Sequence, residues 1–251
     1  MIHTIRSEWI KLRTVRMNLI LFVIAVAFPV IVCVLVASLG DITDLHVSDV
    51  AGLVVGSSVI TALLLGVVGA VSISAEFAYG TIRPTFAATP RRMRVLVAKG
   101  VVIALFAFVA EALVVVICYL LSSAIATSRG ASLSLNSDVQ ARSALIGIVV
   151  FAIIVSLLGL GLGMVIRNTP ASVAVLILWP LVAENIIRVV LSAAGVDRPA
   201  RFLPYTSGFE LATTDVSAHE GLGRIAGGVY FALATLAVAA IGAVVTSRRD
   251  A

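Results

Sequence analysis

Few residues in this chain have the type and spacing to do chemistry. Glu111 lies inside the apolar run 101–126, where a charge costs at least about 2.5 kcal/mol, so it must face a cavity or the interior of a helix bundle. Two roles suit it: a contact for a cationic substrate on a translocation path, or an interhelical hydrogen bond, which is the simpler. Glu184 and Arg188 stand four apart, a spacing that lets them pair on one helix face. His3, His46 and His219 are scattered and lack metal-ligand spacing. Cys33 and Cys118 each sit within an apolar run, as buried thiols do, and imply neither a metal site nor a disulfide framework. Ser57-Ser58 has no sequence partner that suggests a nucleophile. The run Gly159-Leu160-Gly161-Leu162-Gly163 superficially matches a phosphate loop, but inside an apolar stretch small residues more simply let helices approach. No G-x-x-x-x-G-K-[ST] motif occurs, so the chain has no loop of that kind to cradle ATP phosphates. Catalysis by the chain itself is not expected.

The elements that position these residues are set by hydropathy. Of 251 residues, 61% are hydrophobic and 12% charged, half the charge of a soluble domain, which carries roughly a quarter. Mean hydropathy is +1.15. Crossing a bilayer takes ~20 mainly apolar residues per helix. The runs 19–39, 50–74, 101–126, 143–166 and 225–246 qualify, and 171–190 is a weaker fifth span in chain order, complete or re-entrant. The expected fold is therefore an all-α polytopic membrane protein of six spans, residues 18–251, behind an amphipathic interfacial helix, residues 1–17. A charged segment precedes the first run and no small-residue cleavage pattern follows it, so it reads as a retained span and not a signal peptide.

Charge placement orients the spans. With the N-terminus in the cytoplasm, twelve of the 18 Lys and Arg fall inside, among them Arg91, Arg92, Arg94 and Lys99, and six outside. Eight carboxylates, including Asp41, Asp197 and Glu220, lie outside. This is the positive-inside distribution, and it places both termini in the cytoplasm. In the first residues Ile2, Ile5, Trp9 and Leu12 recur at helical spacing, with Arg6, Arg13 and Arg16 on other faces, so the stripe is expected to lie in the acyl boundary of the membrane.

Between the second and third spans, residues 75–100 read AEFAYGTIRPTFAATPRRMRVLVAKG. Gly80 can end a helix and Thr81 can cap a short new one, provided Pro84 falls in its first turn. Thr89-Pro90 signals a further start, and Arg167-Asn168-Thr169-Pro170 is a tight turn in which Thr-Pro again opens a helix.

This order of elements resembles the permeases of type-2 ABC exporters. The stretch Glu76 to Arg92 is similar to that family's cytoplasmic loop, an acidic residue and an aromatic before Gly-Thr and a basic residue, then a short helix and a Pro-Arg turn. Ser7 to Arg13 resembles its N-terminal elbow helix, and Leu158 to Pro170 its turn between the fourth and fifth spans. Pro84 departs from the usual pattern. The resemblance implies that 75–100 is a coupling loop seated in a cleft of a separate ATPase subunit. Thr81, Ile82 and Phe86 would make the contact, with Arg83, Arg91 and Arg92 at its rim and Glu76, Tyr79, Gly80, Thr89 and Pro90 completing the set. It further implies that ATP and Mg are bound by the partner and not by this chain, and that a second permease copy or paralogue completes a pathway lined by spans one, two and five. A hydrophobic or amphipathic substrate would be exported. The alternatives are a membrane immunity or regulatory protein that does not translocate its ligand, and an intramembrane enzyme.

Overall fold

The computed structural model describes residues 2–39, 47–88, 92–128, 138–214 and 221–249, apart from the side chains of residues 83, 87, 88, 248 and 249. Helix α1 (Ile2–Thr14) leads at Val15 into α2 (Arg16–Leu39), followed by α3 (Val47–Ala78), the short α4 (Ile82–Ala88), α5 (Arg92–Ser128) and α6 (Val139–Ile166). Helix α7 (Thr169–Leu178) passes through a π-helical segment, Trp179–Ala183, into α8 (Glu184–Ala193). A 3-10 turn (Pro199–Phe202), α9 (Pro204–Phe209) and a second 3-10 turn (Glu210–Ala212) precede α10 (Arg224–Arg249). Among the described residues six helices are long and apolar enough to cross a membrane. Helices are the natural outcome, because lipid offers no hydrogen bonds to an open backbone. Several observed helices extend beyond their apolar runs: α3 to Ala78 and α5 from Arg92. Hydropathy marks what lies in hydrocarbon, whereas the hydrogen-bonded helix continues into the polar layer.

Helices α3 and α6 form the centre, the most buried of the spans. They touch backbone to backbone. A Cβ on Gly159 would fall on the Gly66 carbonyl oxygen, and one on Gly69 on the Ser156 carbonyl oxygen. The small-residue stripe thus sets the helix separation. Toward the α9 end, Phe151 of α6 packs against Tyr205, Phe209 and Phe231 with ring centroids 5.1–5.6 Å apart, edge-on or tilted as ring quadrupoles prefer.

Two prolines lie inside spans, and each has a local remedy. Pro29 in α2 has no N–H for the carbonyl of Ala25, four residues earlier. The Thr61 hydroxyl of α3 donates to that carbonyl at 2.7 Å, so the vacancy becomes an interhelical bond. Pro180 lies in the π segment, where the Glu184 N–H reaches back five residues to the Trp179 carbonyl. The helix from Thr169 to Ala193 is therefore continuous, widened by one residue at Pro180.

At the turn between α6 and α7, Arg167 takes a left-handed φ of 59° and Asn168 caps the next helix by accepting from the Ala171 N–H at 3.0 Å. Thr169 is then the first helical residue, its hydroxyl bonded to Ser74 at 2.8 Å. The expected Thr-Pro start is thus displaced by one residue, because an Asn carbonyl oxygen caps better than a Thr hydroxyl.

Candidate functional site at the α1 and α4 end

The charged side chains that the fold buries converge where α1, the end of α3 and the start of α5 meet. Glu8, 3% exposed, accepts from Lys99 Nζ at 2.5 Å and from Lys11 Nζ at 2.7 Å. Glu76 Oε1 accepts from both lysines at 3.1 Å, and Lys99 also donates to the Ser72 carbonyl at 3.1 Å. Two carboxylates and two ammonium groups thus neutralise one another, as buried charge requires. The sequence reading missed this site: Lys99 counted there only as a topology charge, and Glu8 only as part of an elbow motif. The available signal was a lysine embedded in the apolar run Val95–Ile103.

Part of the elbow's apolar stripe packs within the chain, while Ile2 is exposed. Leu12 is buried, and Ile5 and Trp9 pack on the main core, with the Trp9 ring edge-on to Phe106 at 6.5 Å. Ile5, Trp9 and Leu12 pack inward on the face that also carries Glu8, which pairs with Lys99. Asn18 of α2 donates to the Leu12 carbonyl at 3.1 Å, giving the last turn of α1 a partner.

Ion pairing overrides burial in the electrostatics of α1. Burial alone would push the Glu8 carboxyl up, but the Lys99 ammonium and hydrogen bonds from Lys11 and Lys99 hold it below 4.5. Burial would likewise lower Lys11, yet its hydrogen bond to Glu8 and the charge of Glu76 raise it above 10.5. A depressed carboxyl contributes stability that is complete above about pH 4.5 and lost as pH falls through its folded value. A raised lysine contributes below about pH 10.5 and loses this as pH rises through its folded value. Docking of α1 is therefore expected to hold across neutral pH and to fail in acid. In a Trp179→Phe background, which leaves Trp9 as the sole tryptophan of the two, its emission should shift to the red below about pH 4.5. In Glu8→Gln that acid transition should vanish. An emission spectrum unchanged in acid while the helices persist would show that the pairs do not hold α1.

Helix α4 follows a sharp turn. Gly80 has φ +69°, a conformation that suits glycine. Thr81 precedes the helix by position, though its hydroxyl turns back toward the Glu76 carbonyl at 3.5 Å, and Pro84 lies in the first turn, as its ring requires. Ile82 and Phe86, 4% and 7% exposed, point into a cluster with Ile73, Val95, Leu96, Leu160 and Met164. At helical spacing Ile82 and Phe86 share the face that, within this chain, covers the ends of α3, α5 and α6. The outward face carries Tyr79, 83% exposed, with Gly80, Thr81 and Pro84. Arg92 lies 5.5 Å from the Phe86 ring centroid and donates to the Ser247 carbonyl at 3.0 Å. Arg167 lies over Phe77 at 4.7 Å and donates to the Val245 carbonyl at 3.1 Å. Two guanidinium groups thus hold the C-terminal carbonyls of α10, Arg92 against Phe86 of α4 and Arg167 against Phe77 at the end of α3. Thr89, Pro90, Arg91 and the Arg83 side chain lie outside the described residues, and so does the start signal at Thr89-Pro90.

The other singled-out residues lie elsewhere. Glu111 is fully buried in α5, its oxygens without a partner at bonding geometry and the buried Ser58 of α3 its polar neighbour. Glu184 does not pair with Arg188. Its carboxylate accepts from the backbone N–H groups of Tyr205 and Thr206 at 2.9 and 2.8 Å, the Thr206 hydroxyl at 2.7 Å and Trp179 Nε1 at 3.0 Å. Four fixed donors in a buried site outcompete one mobile guanidinium, and Arg188 instead donates to Asn185 at 2.7 Å. Glu184 thereby ties the fifth span to α9. Among the described residues no group of three or more His, Cys, Asp or Glu could hold a metal.

Comparison with curated proteins finds no match. The family model described as ABC-2 family transporter protein matches residues 4–182, a segment that holds the elbow, the first four spans, α4 and most of the fifth. The match covers more than half of the chain, and the chain belongs to the ABC-2 transporter family as a membrane-spanning permease.

Proposed function

We propose that this permease is the membrane half of an ATP-driven exporter in the bacterial cytoplasmic membrane, moving a hydrophobic or amphipathic molecule such as a drug, lipid or peptide out of the cell. The α1 and α4 end faces the cytoplasm with both termini. A separate ATPase, which carries the ATP and Mg, docks on the face formed by Tyr79, Gly80, Thr81 and Pro84. A second permease copy or paralogue lies against the spans that this chain leaves least covered, α2 and α7–α8, whose exposed Leu19, Val23, Leu178 and Val182 have little packing within the chain. The observation that carries the reading is the two-sided build of α4. Ile82 and Phe86 bolt it to three spans while its other face stays open, so ATPase closure would tilt spans as a rigid body instead of bending a loop.

The test is affinity purification of the detergent-solubilised chain from its host, with identification of co-purifying proteins and an ATPase assay. The native chain should retain an ATPase that Tyr79→Asp with Pro84→Asp loses roughly tenfold or more, the loss expected when contacts worth ~1.4 kcal/mol or more disappear. A stable chain that comes out alone, or a variant that keeps its ATPase undiminished, would overturn the proposal.

A further inference from the structure

Helix α1 has more than one side, and the chain itself uses only part of them. Glu8 and Leu12 are buried, and Ile5 and Trp9 pack on the core. The side toward α4 forms a cleft in which His3, Thr4, Ser7 and Lys11 stand opposite Pro84 and Thr85. On the remaining side Ile2, Arg6, Ile10 and Arg13 follow one another at steps of four, four and three, which is one strip of a helix surface. All four are exposed, Ile2 by 80% and Ile10 by 48%.

This strip is apolar and basic at once, and its charge is not spent inside the molecule. The four ion pairs at this end are closed among Glu8, Lys11, Glu76 and Lys99. The one carboxylate of α1 is thus matched and turned inward, and Arg6 and Arg13 take part in none of these pairs. Exposed Arg16 adds a third guanidinium where α2 begins. One edge of the strip adjoins Trp9, whose ring packs on Phe106 of the span α5. The strip therefore lies on the bilayer side of α1, away from the cleft at α4, and exposed Met17, Leu19 and Ile20 extend the apolar surface into α2.

We infer that this strip is a docking surface for anionic phospholipids of the leaflet on the α4 side. Ile2 and Ile10 enter the acyl boundary, and Arg6 and Arg13 donate to headgroup phosphates. Isoleucine alternating with arginine along one strip suits a partner that is apolar just beneath a layer of phosphate, which is a bilayer surface. The planar guanidinium matches phosphate oxygens two at a time. A zwitterionic headgroup brings its own ammonium, which competes for the same phosphate, and its surface exerts no net attraction on the arginines; a net-negative leaflet does. The ion pairs of Glu8 hold the opposite side of α1 to α5, so the strip is oriented before any lipid arrives. The inference goes beyond the exporter reading and depends neither on an ATPase nor on the direction of transport.

Native mass spectrometry of the purified full chain, taken from mixed micelles of phosphatidylglycerol, phosphatidylethanolamine and phosphatidylcholine, tests it. Wild type should retain phosphatidylglycerol in preference to either zwitterionic lipid. Arg6→Gln with Arg13→Gln should lower that retention about thirtyfold, or about fivefold per arginine. Arg6→Lys with Arg13→Lys keeps the charge and should retain most of it, which separates lipid binding from any fault in folding. Arg142→Gln with Arg198→Gln removes the same charge from exposed positions at the α9 end and should leave retention as in wild type. Equal retention of the three lipids, or undiminished phosphatidylglycerol in the glutamine variant at Arg6 and Arg13, would overturn the inference. So would a lysine variant as depleted as the glutamine one, or the same loss in the variant at Arg142 and Arg198.

Discussion

Lys99→Met is expected to lower the stability of the solubilised chain by about 3–5 kcal/mol, the cost of breaking a buried pair by removing one partner. The side chain keeps nearly the same length, so the cavity term is small and the loss is electrostatic. Glu8 and Glu76 would then share only Lys11, which is largely open to solvent on one side and screened there. The variant Lys99→Met with Glu8→Met should recover most of the loss, because it removes both charges and leaves Lys11 paired with Glu76. Thermal unfolding in detergent, followed by circular dichroism, measures both. If the single variant unfolds within about 1 kcal/mol of wild type, the scale of an exposed pair, the cluster does not anchor α1 and α3 to α5. Glu8 and Lys99 tie the elbow to α5 across 91 positions of sequence.

Phe86→Asp is expected to be more damaging still than a truncation at this position. Burying a phenylalanine in the cluster beneath α4 is worth about 3–5 kcal/mol against alanine, and an aspartate adds the cost of an unpaired charge among apolar side chains. The variant should therefore lose α4 packing, with a melting temperature well below wild type and early proteolysis between α3 and α5. Tyr79→Asp, three residues before Ile82 but on the open side, should leave the melting temperature unchanged. The contrast discriminates the two faces. Equal stability of Phe86→Asp and wild type would mean that Phe86 does not face inward. A destabilised Tyr79→Asp would mean that the outer face is covered within the chain itself.

This separation of faces shows where local patterning stops. A helix of seven residues such as Ile82–Ala88 makes barely two turns, too few for periodicity to say which side is buried. Both Ile82 and Phe86 suit a core and an interface equally by type. The observed answer depends on Val95, Leu160 and Met164 arriving from other elements. The same holds for Glu184. Its spacing to Arg188 suited a local pair, but the π segment at Pro180 and the start of α9 at Tyr205 and Thr206 bring four donors that no helix register displays.

Taken alone, the amino-acid sequence determined the class of the molecule and its punctuation. Lipid permits only saturated backbones, so apolar length translates almost directly into spans, and six of them followed from hydropathy. Glycine and proline act through their own backbone, so the turn at Gly80, the place of Pro84 and the close packing at Gly159 and Gly163 were legible locally. Partnership was decided by the tertiary structure. Glu8 with Lys99, Thr61 with the carbonyl that Pro29 leaves open, and the inward turn of the elbow stripe are choices among groups distant in the chain. Such choices follow the cost of leaving a buried charge or carbonyl unmatched, and that cost exists only once the helices have packed.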